Sequence, residues 1–217
     1  MKTSTLSISD KQKRILEVAG EIFAEVGFQQ APVREICNRA QANVAAVNYH
    51  FGNKEKLYVA VFRYGRDVAF QQYPWDLGTD VSSSPEDRLR AFIRSFLLRT
   101  LSHGQASWIG KLMAREFFQP TKAFDVVIKE TIRPAFNLLS SIVKQLLGNR
   151  CQEESLILCC MSIVGQCLYP LNARQVIARL LKRGPFNTEE IERIASHITR
   201  FSLYAIQEMA KETEGAP

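Results

Sequence analysis

Alternation of apolar and polar residues, the mark of a half-buried strand, is missing from this sequence, and so is any Asn-Gly hairpin pair. Both absences argue against a sheet and for an all-α fold. Histidine is scarce: His50, His103 and His197 are the only three, and they lie far apart. No Ser-His-Asp order, glycine-rich phosphate loop or His-Glu-x-x-His run accompanies them, so nothing supports an enzyme, a cofactor or a metal site. Cysteine is limited to Cys37, Cys151, Cys159, Cys160 and Cys167. An odd count in a chain this long is not a disulfide framework and suits a reducing cytoplasm. Cys159, Cys160 and Cys167 lack the C-x-x-C spacing of zinc sites, and their neighbours Leu156, Ile157, Leu158 and Met161 predict buried, inert thiols. Met1–Asp10 has no apolar core of a secretion signal, so a cytoplasmic protein is expected. The apolar stretch Leu156–Leu171 falls short of the roughly 18–20 residues of a membrane span and is interrupted by Ser162, Gly165, Gln166 and Pro170. It reads as a buried helix, and no membrane partner is expected.

What is present is helical period over most of 217 residues, 46% hydrophobic and 23% charged, enough for a sizeable soluble core. Ser9 and Gln12 form a possible capping box. Ile15, Val18, Ala19, Ile22, Phe23 and Val26 then make one apolar stripe, and Gly27 is a natural stop. Pro32 suits the first turn of a short helix with Val33, Ile36, Cys37 and Ala40 on one face. Gln41-Ala42 makes a tight break. Asn43 caps a third helix to about Tyr49, and Asn53 a fourth bearing Leu57, Val61, Tyr64 and Val68, which Pro74 ends. The polar segment Asp76–Ser84 is a loop. Helices are then expected at Pro85–Leu101, Gln105–Phe118, Thr121–Leu147 (kinked or split by Pro134), Glu153–Tyr169, Ala173–Arg183 and Thr188–Glu212. The last has a capping box of Asn187 and Glu190 and a stripe of Ile191, Ile194, Ala195, Ile198, Phe201, Ala205 and Met209.

Net charge is +6. Residues 1–70 hold 10 Lys and Arg against 7 Asp and Glu, and residues 71–217 hold 18 against 15. The shorter part thus has about twice the charge per residue, which favours a polyanion at that end. A long helix, a short one, a tight turn and another short one make a helix-turn-helix. The composition of the third helix suits that role. Ala45 and Ala46 leave a face nearly bare, so a backbone can approach the major groove, while Tyr49, His50 and Lys54 are donors able to hold phosphates. Lys54 at a helix N-terminus is electrostatically out of place unless an anion meets it there.

The run KRILEVAGEIFAEVGFQQAPVREICNRAQANVAAVNYHFGNKEKLYVAVF, from Lys13 to Phe62, resembles the DNA-binding domain of TetR-type transcriptional regulators. The segments around REFFQPTKAFDVVIKETIRPAFNLLSSIVKQLLG and HITRFSLYAI are similar to the C-terminal domain of the CecR-like (YbiH-like) branch. The resemblance implies a helix-turn-helix head (residues 1–53) and a larger helical bundle (residues 54–217) for ligand binding and dimerisation. It implies base-facing positions at Arg34, Val44, Ala45, Ala46 and Asn48, and phosphate-facing ones at Asn43, Tyr49, His50 and Lys54. Gln41 stands where the family commonly has Gly, Val44 where Lys or Gln is frequent, and Asn48 where Tyr is common. Val44 and Asn48 fit a thymine methyl and an adenine edge. The implied partners are double-stranded DNA carrying an inverted repeat, a second copy of the chain and a small-molecule effector. Two other classes remain open: a DNA-bound scaffold for a protein partner, favoured by a filled body, and a helical enzyme or lipid carrier with a vestigial head. Aromatics and buried polar groups of the bundle are the candidate ligand residues: Arg99, Trp108, Phe117, Arg133, Gln166 and Tyr169.

Overall fold

The computed structural model describes residues 8–102, 108–148, 152–182 and 184–215. His103, Cys151, Arg183 and the start of the helix expected from Gln105 lie outside them. Among the described residues all regular structure is helical.

Helix α1 (Asp10–Gln30) opens on the expected box: the Gln12 amide donates to Ser9 Oγ at 3.3 Å, and the Ser9 amide donates to Gln12 Oε1 at 3.0 Å. It does not stop at Gly27. Gly27 takes φ 81°, bends the axis, and one further turn runs to Gln30. That positive φ is open to glycine and strained for other residues. Arg115 meets the carbonyls beside the break, donating from Nε to Ala24 O at 2.9 Å and from Nη2 to Glu25 O at 2.5 Å.

Helices α2 (Val33–Arg39) and α3 (Val44–Phe51) follow. Gln41 supplies the left-handed conformation of their turn, φ 50°, that glycine would take most easily. The Ala42 amide closes on Cys37 O at 2.9 Å, and Arg14 Nη1 donates to Gln41 Oε1 at 3.2 Å, so the turn is tied down despite its side chain. Asn43 and Asn53 cap as expected, accepting from Ala46 N at 2.6 Å and Lys56 N at 2.9 Å. Helix α4 (Lys54–Gln72) then crosses under α1. Ile15, Ala19 and Phe23 of α1, Ile36 of α2, Val47 of α3 and Leu57 and Val61 of α4 are buried in one core.

Helices α5 (Pro85–Leu101), α6 (Trp108–Phe118), α7 (Phe124–Val127), α8 (Arg133–Leu147), α9 (Glu153–Asn172), α10 (Arg174–Leu181) and α11 (Thr188–Gly215) form the body. The helix expected over 121–147 is split by a π segment, Ile128–Ile132, just before Pro134. Proline has no N–H for the Glu130 carbonyl four residues back, and a locally widened turn accommodates the loss. Helix α9 passes through Pro170 instead of stopping at Tyr169. Its 20 residues, with a mean hydropathy of 1.4 over the best window, reach a membrane span by length and composition, where the shorter apolar run did not. Cys160, Ile163 and Cys167 nevertheless lie in the body core with Phe92 and Leu97 of α5 and Leu139 and Val143 of α8. On α11 the expected stripe holds at Ile191, Ala195 and Ile198 and then drifts. Ser202 and Ile206 are buried, while Phe201 and Ala205 face outward. Cys37, Cys159, Cys160 and Cys167 are buried.

Candidate functional site

Helix α3 presents a nearly unadorned face. Val47 is its one buried residue, anchored in the head core, and this turns Val44, Ala45, Asn48 and Tyr49 outward. Val44 is 40% exposed and Tyr49 86% exposed, values that intramolecular packing does not explain. Arg34 on α2 and the cap residue Asn43 are also exposed, and Ala46 and His50 are half-buried. The His50 ring lies edge-on to Tyr49, centroids 5.2 Å apart. Lys54 differs from the sequence argument. Its Nζ donates to Gln29 O at 3.2 Å and sits 4.9 Å above the Phe28 ring, so the charge at the start of α4 already has partners. Burial pushes its pKa below the usual lysine value, against the raising effect of Glu55.

A cavity of about 420 Å³ lies in the body between α4, α5, α6, α8 and α9. Phe70, Phe96, Ile109, Met113, Phe136 and Leu168 give it an apolar wall. Arg99 and Phe117 line it as expected from the sequence. The other four candidates do not. Trp108 is wedged against Gly20 of α1 and Gly65 of α4. Arg133 and Tyr169 are exposed, and Gln166 turns back to donate to Ser162 O at 3.3 Å. A larger trough of about 1390 Å³ runs past the end of α1, but Glu25, Glu55, Lys56 and Arg115 give it a wall charged with both signs. The body cavity has the character of a small-molecule site: concave and apolar, with few polar groups.

Helix α4 ties the two regions together. Only two residues separate it from the end of α3, and its Phe62, Arg66, Ala69 and Phe70 line the cavity. A clasp fixes it to the π segment: Arg63 Nη2 meets Glu130 Oε1 at 2.6 Å, and Arg66 Nη1 meets Glu130 Oε2 at 3.1 Å. Arg66 Nη1 also lies 3.5 Å from the Glu130 carbonyl that Pro134 cannot satisfy. Hydrogen bonding from Arg63, then from Arg66, holds the Glu130 carboxyl below its usual pKa despite some burial. A carboxylate with a depressed folded pKa stabilises the fold fully above its unfolded value, about 4.3, and that contribution disappears as pH falls through the folded value. Glu130→Gln should therefore lower the melting temperature at about pH 7, with the deficit shrinking as pH falls below about 4.3. Thermal denaturation across that range checks this; a deficit independent of pH would contradict it.

Comparison with known proteins decides what this pairing of head and cavity belongs to. Residues 85–206, more than half the chain, match the family described as the C-terminal domain of the HTH-type transcriptional dual regulator CecR. Residues 15–61 match the bacterial regulatory proteins of the tetR family. The chain belongs to the TetR family, with a CecR-type C-terminal domain. This TetR-family regulator is 28% identical over 211 residues to the HTH-type transcriptional dual regulator CecR of Shigella flexneri, covering 92% of this chain and 93% of that protein. It is 33% identical over 88 residues to the HTH-type transcriptional repressor NicS of Pseudomonas putida, 39% of this chain and 41% of that one. Among solved structures, a TetR-family regulator from Streptomyces coelicolor shares the fold with TM-score 0.65 at 17% identity, over 91% of this chain and 96% of that one. AibR, solved with isovaleryl coenzyme A and operator DNA, shares it with TM-score 0.65 at 20% identity, over 88% and 97%. The family consists of transcriptional regulators, not enzymes.

Two features of this TetR-family chain were absent from the sequence reading. One is the Trp108 wedge on Gly20 and Gly65; the only signal was a glycine inside each of two strongly periodic helices, which asks for a packing reason. The other is the Glu130 clasp, whose partners lie more than sixty residues away.

Proposed function

We propose that this protein is a one-component transcriptional repressor, cytoplasmic and dimeric, that binds an inverted-repeat operator and is released by a small molecule held in the body. The observation carrying the reading is the shared helix: α4 begins where the exposed face of α3 ends, and it also walls the 420 Å³ cavity. Residues 1–53 act as the DNA-binding head and residues 54–217 as the ligand-binding and dimerisation part. Arg34, Val44, Ala45, Ala46 and Asn48 face bases. Asn43, Tyr49, His50 and Lys54 face phosphates, with Asn43 serving also as the helix cap. A dimer brings two heads to half-sites about 34–36 Å apart, or a multiple of that. Ligand favours one arrangement of the heads, and the operator favours another. Such coupling is about 1–3 kcal/mol and reciprocal, so operator DNA weakens ligand binding by the same factor. That AibR holds a ligand and operator DNA on the same fold supports the reading. The cavity also tells against a filled scaffold that only docks a protein.

Selection of bound duplexes from a random library, at near-physiological salt, tests it. An inverted repeat should be enriched. Changing Asn48 should then alter base preference, while changing Tyr49 or Lys54 should weaken all sites alike. Absence of any enriched sequence with the purified dimer would remove the repressor reading.

A further inference from the structure

The cavity is one-sided in charge. Arg66 and Arg99 are in its wall, and none of the residues described as lining it is acidic. Arg66 is fully engaged, bonded to Glu130 and, through Nη2 at 2.7 Å, to Asp67. Arg99 is not. Its guanidinium carbon lies 3.3 Å from the centroid of the Trp75 ring and 4.5 Å from that of Phe70. Nη1 makes one long contact, 3.4 Å to Tyr73 O. Nη2 is closed off from water and has no hydrogen-bond partner. Burial pushes the Arg99 pKa well down, yet a guanidinium starts so high that it keeps its proton. Two aromatic faces offset part of the desolvation, but they offer no acceptor. An orphan donor on a buried cation is unfavourable and calls for an explanation.

We propose that the effector is an apolar carboxylic acid, its hydrocarbon or aromatic part filling the cavity and its carboxylate pairing with Arg99. This rests on the ligand-responsive reading above and names the class of ligand. A carboxylate matches the planar donor fork of one guanidinium. With Arg66 neutralised by Glu130 and Asp67, only one free positive charge remains, so a phosphate dianion would leave a buried charge unbalanced. Arg99 can turn to the ligand without orphaning the Tyr73 carbonyl. Buried Ser95 donates to that carbonyl at 3.0 Å, and remains when Arg99 leaves. Because Nη2 is covered by its surroundings, capture draws the guanidinium from Phe70 and Trp75. Phe70 lies on α4, and Tyr73 caps it, so the acid loosens a contact that fixes the end of the helix carrying the head.

The test titrates the full-length dimer with a panel of aliphatic and aromatic carboxylic acids, decanoate among them, each beside its own neutral primary amide. Emission of Trp75, in the cavity wall, and calorimetry report binding. Acids should bind at least about tenfold tighter than their amides. Arg99→Met should abolish that preference while sparing the amides, and should raise the melting temperature of the ligand-free protein, since it removes an unpaired buried charge. Arg99→Lys, which keeps the charge, should retain part of the preference. Amides binding as tightly as acids, or a preference that survives Arg99→Met, overturns the inference and leaves the ligand-responsive reading standing. A fall in ligand-free melting temperature on Arg99→Met overturns it too, because Arg99 would then be a structural residue. If neither acids nor amides bind, while duplex selection succeeds, the ligand-responsive reading fails and the inference with it.

Discussion

A Leu158→Arg, Tyr204→Arg double variant is expected to stay folded, sediment as a monomer, and bind the selected inverted repeat at least about a hundredfold more weakly. Helices α9 and α11 pack on one another and each leaves an apolar face uncovered. Leu158 is 52% exposed on α9 and Tyr204 71% exposed on α11, with Met161, Tyr169 and Phe201 exposed beside them. Soluble monomers seldom show so much contiguous apolar surface. Two such helices meeting their mates across a two-fold axis would bury it as a four-helix seam. In a symmetric interface each substitution enters twice, so two changes per chain place four like charges in one seam. Both sites are exposed in the single chain, so the fold itself has little to lose. Arginine is the informative choice because it adds positive charge. Nonspecific attraction to DNA rises, and a loss of operator binding must come from losing the paired heads rather than from repelling phosphates. Sedimentation and binding to the inverted repeat are measured on the same samples. If the dimer survives both arginines, the seam is elsewhere and α9 and α11 meet something other than a second copy.

The parts of this fold that sequence exposes are those decided within a few residues. Ser9, Asn43 and Asn53 cap because their oxygens reach amides three positions on. Helix α5 follows from its stripe and from Pro85 at its first turn, and its observed bounds are those expected. The outward face of α3 was legible as well: Ala45 and Ala46 leave it nearly bare, and Val47 and Phe51 turn to the head core instead. Gln41 lies between the two cases. Its left-handed φ conflicts with its residue type, and the bond from Arg14, 27 residues back, is a tertiary contact no local rule anticipates. The cavity was legible only in fragments. Its wall draws a few residues from each of five helices between Phe62 and Leu171, and an apolar side chain facing a void has the same sequence pattern as one facing a neighbour. Arg99 stood out because a charge inside an apolar stripe is expensive. Arg133 offered the same signal and is merely exposed, since the helix there is re-phased by the π segment before it. Drift on α11 arises similarly: over so long a helix the stripe follows what it packs against, and Phe201 rotates out of the core.

Gly20→Ala is expected to change sign with its background. In the middle of a helix, replacing glycine by alanine ordinarily stabilises by about 0.5–1 kcal/mol, through restricted backbone freedom in the unfolded chain. At Gly20 an added Cβ would lie 2.4 Å from Cε2 and Cζ2 of Trp108, nearer than non-bonded carbons come. The indole has nowhere to retreat, for across it a Cβ on Gly65 would be 2.8 Å from Cη2, and Trp108 is itself buried. Helix α1 or α6 must move instead, at about 1–3 kcal/mol for an overpacked core. In the native background Gly20→Ala should thus lower the melting temperature, by about 2–4 °C for each kcal/mol in a chain of this length. Trp108→Ala alone should lower it further, by about 3–5 kcal/mol in stability. Added to Trp108→Ala, however, Gly20→Ala should raise stability, giving a coupling energy of about 1–3 kcal/mol that removes the clash. A Gly20→Ala effect of the same size and sign in both backgrounds would mean that the wedge does not constrain α1. The wedge also joins head to body. Ile109 and Gly110, the next residues of α6, line the cavity, so ligand contacts pass directly to the indole that seats α1 and α4. Trp108→Ala should accordingly leave operator binding and ligand binding measurable, while ligand weakens operator affinity less than in the native protein. A variant that kept full coupling would place the route from cavity to head in α4 alone.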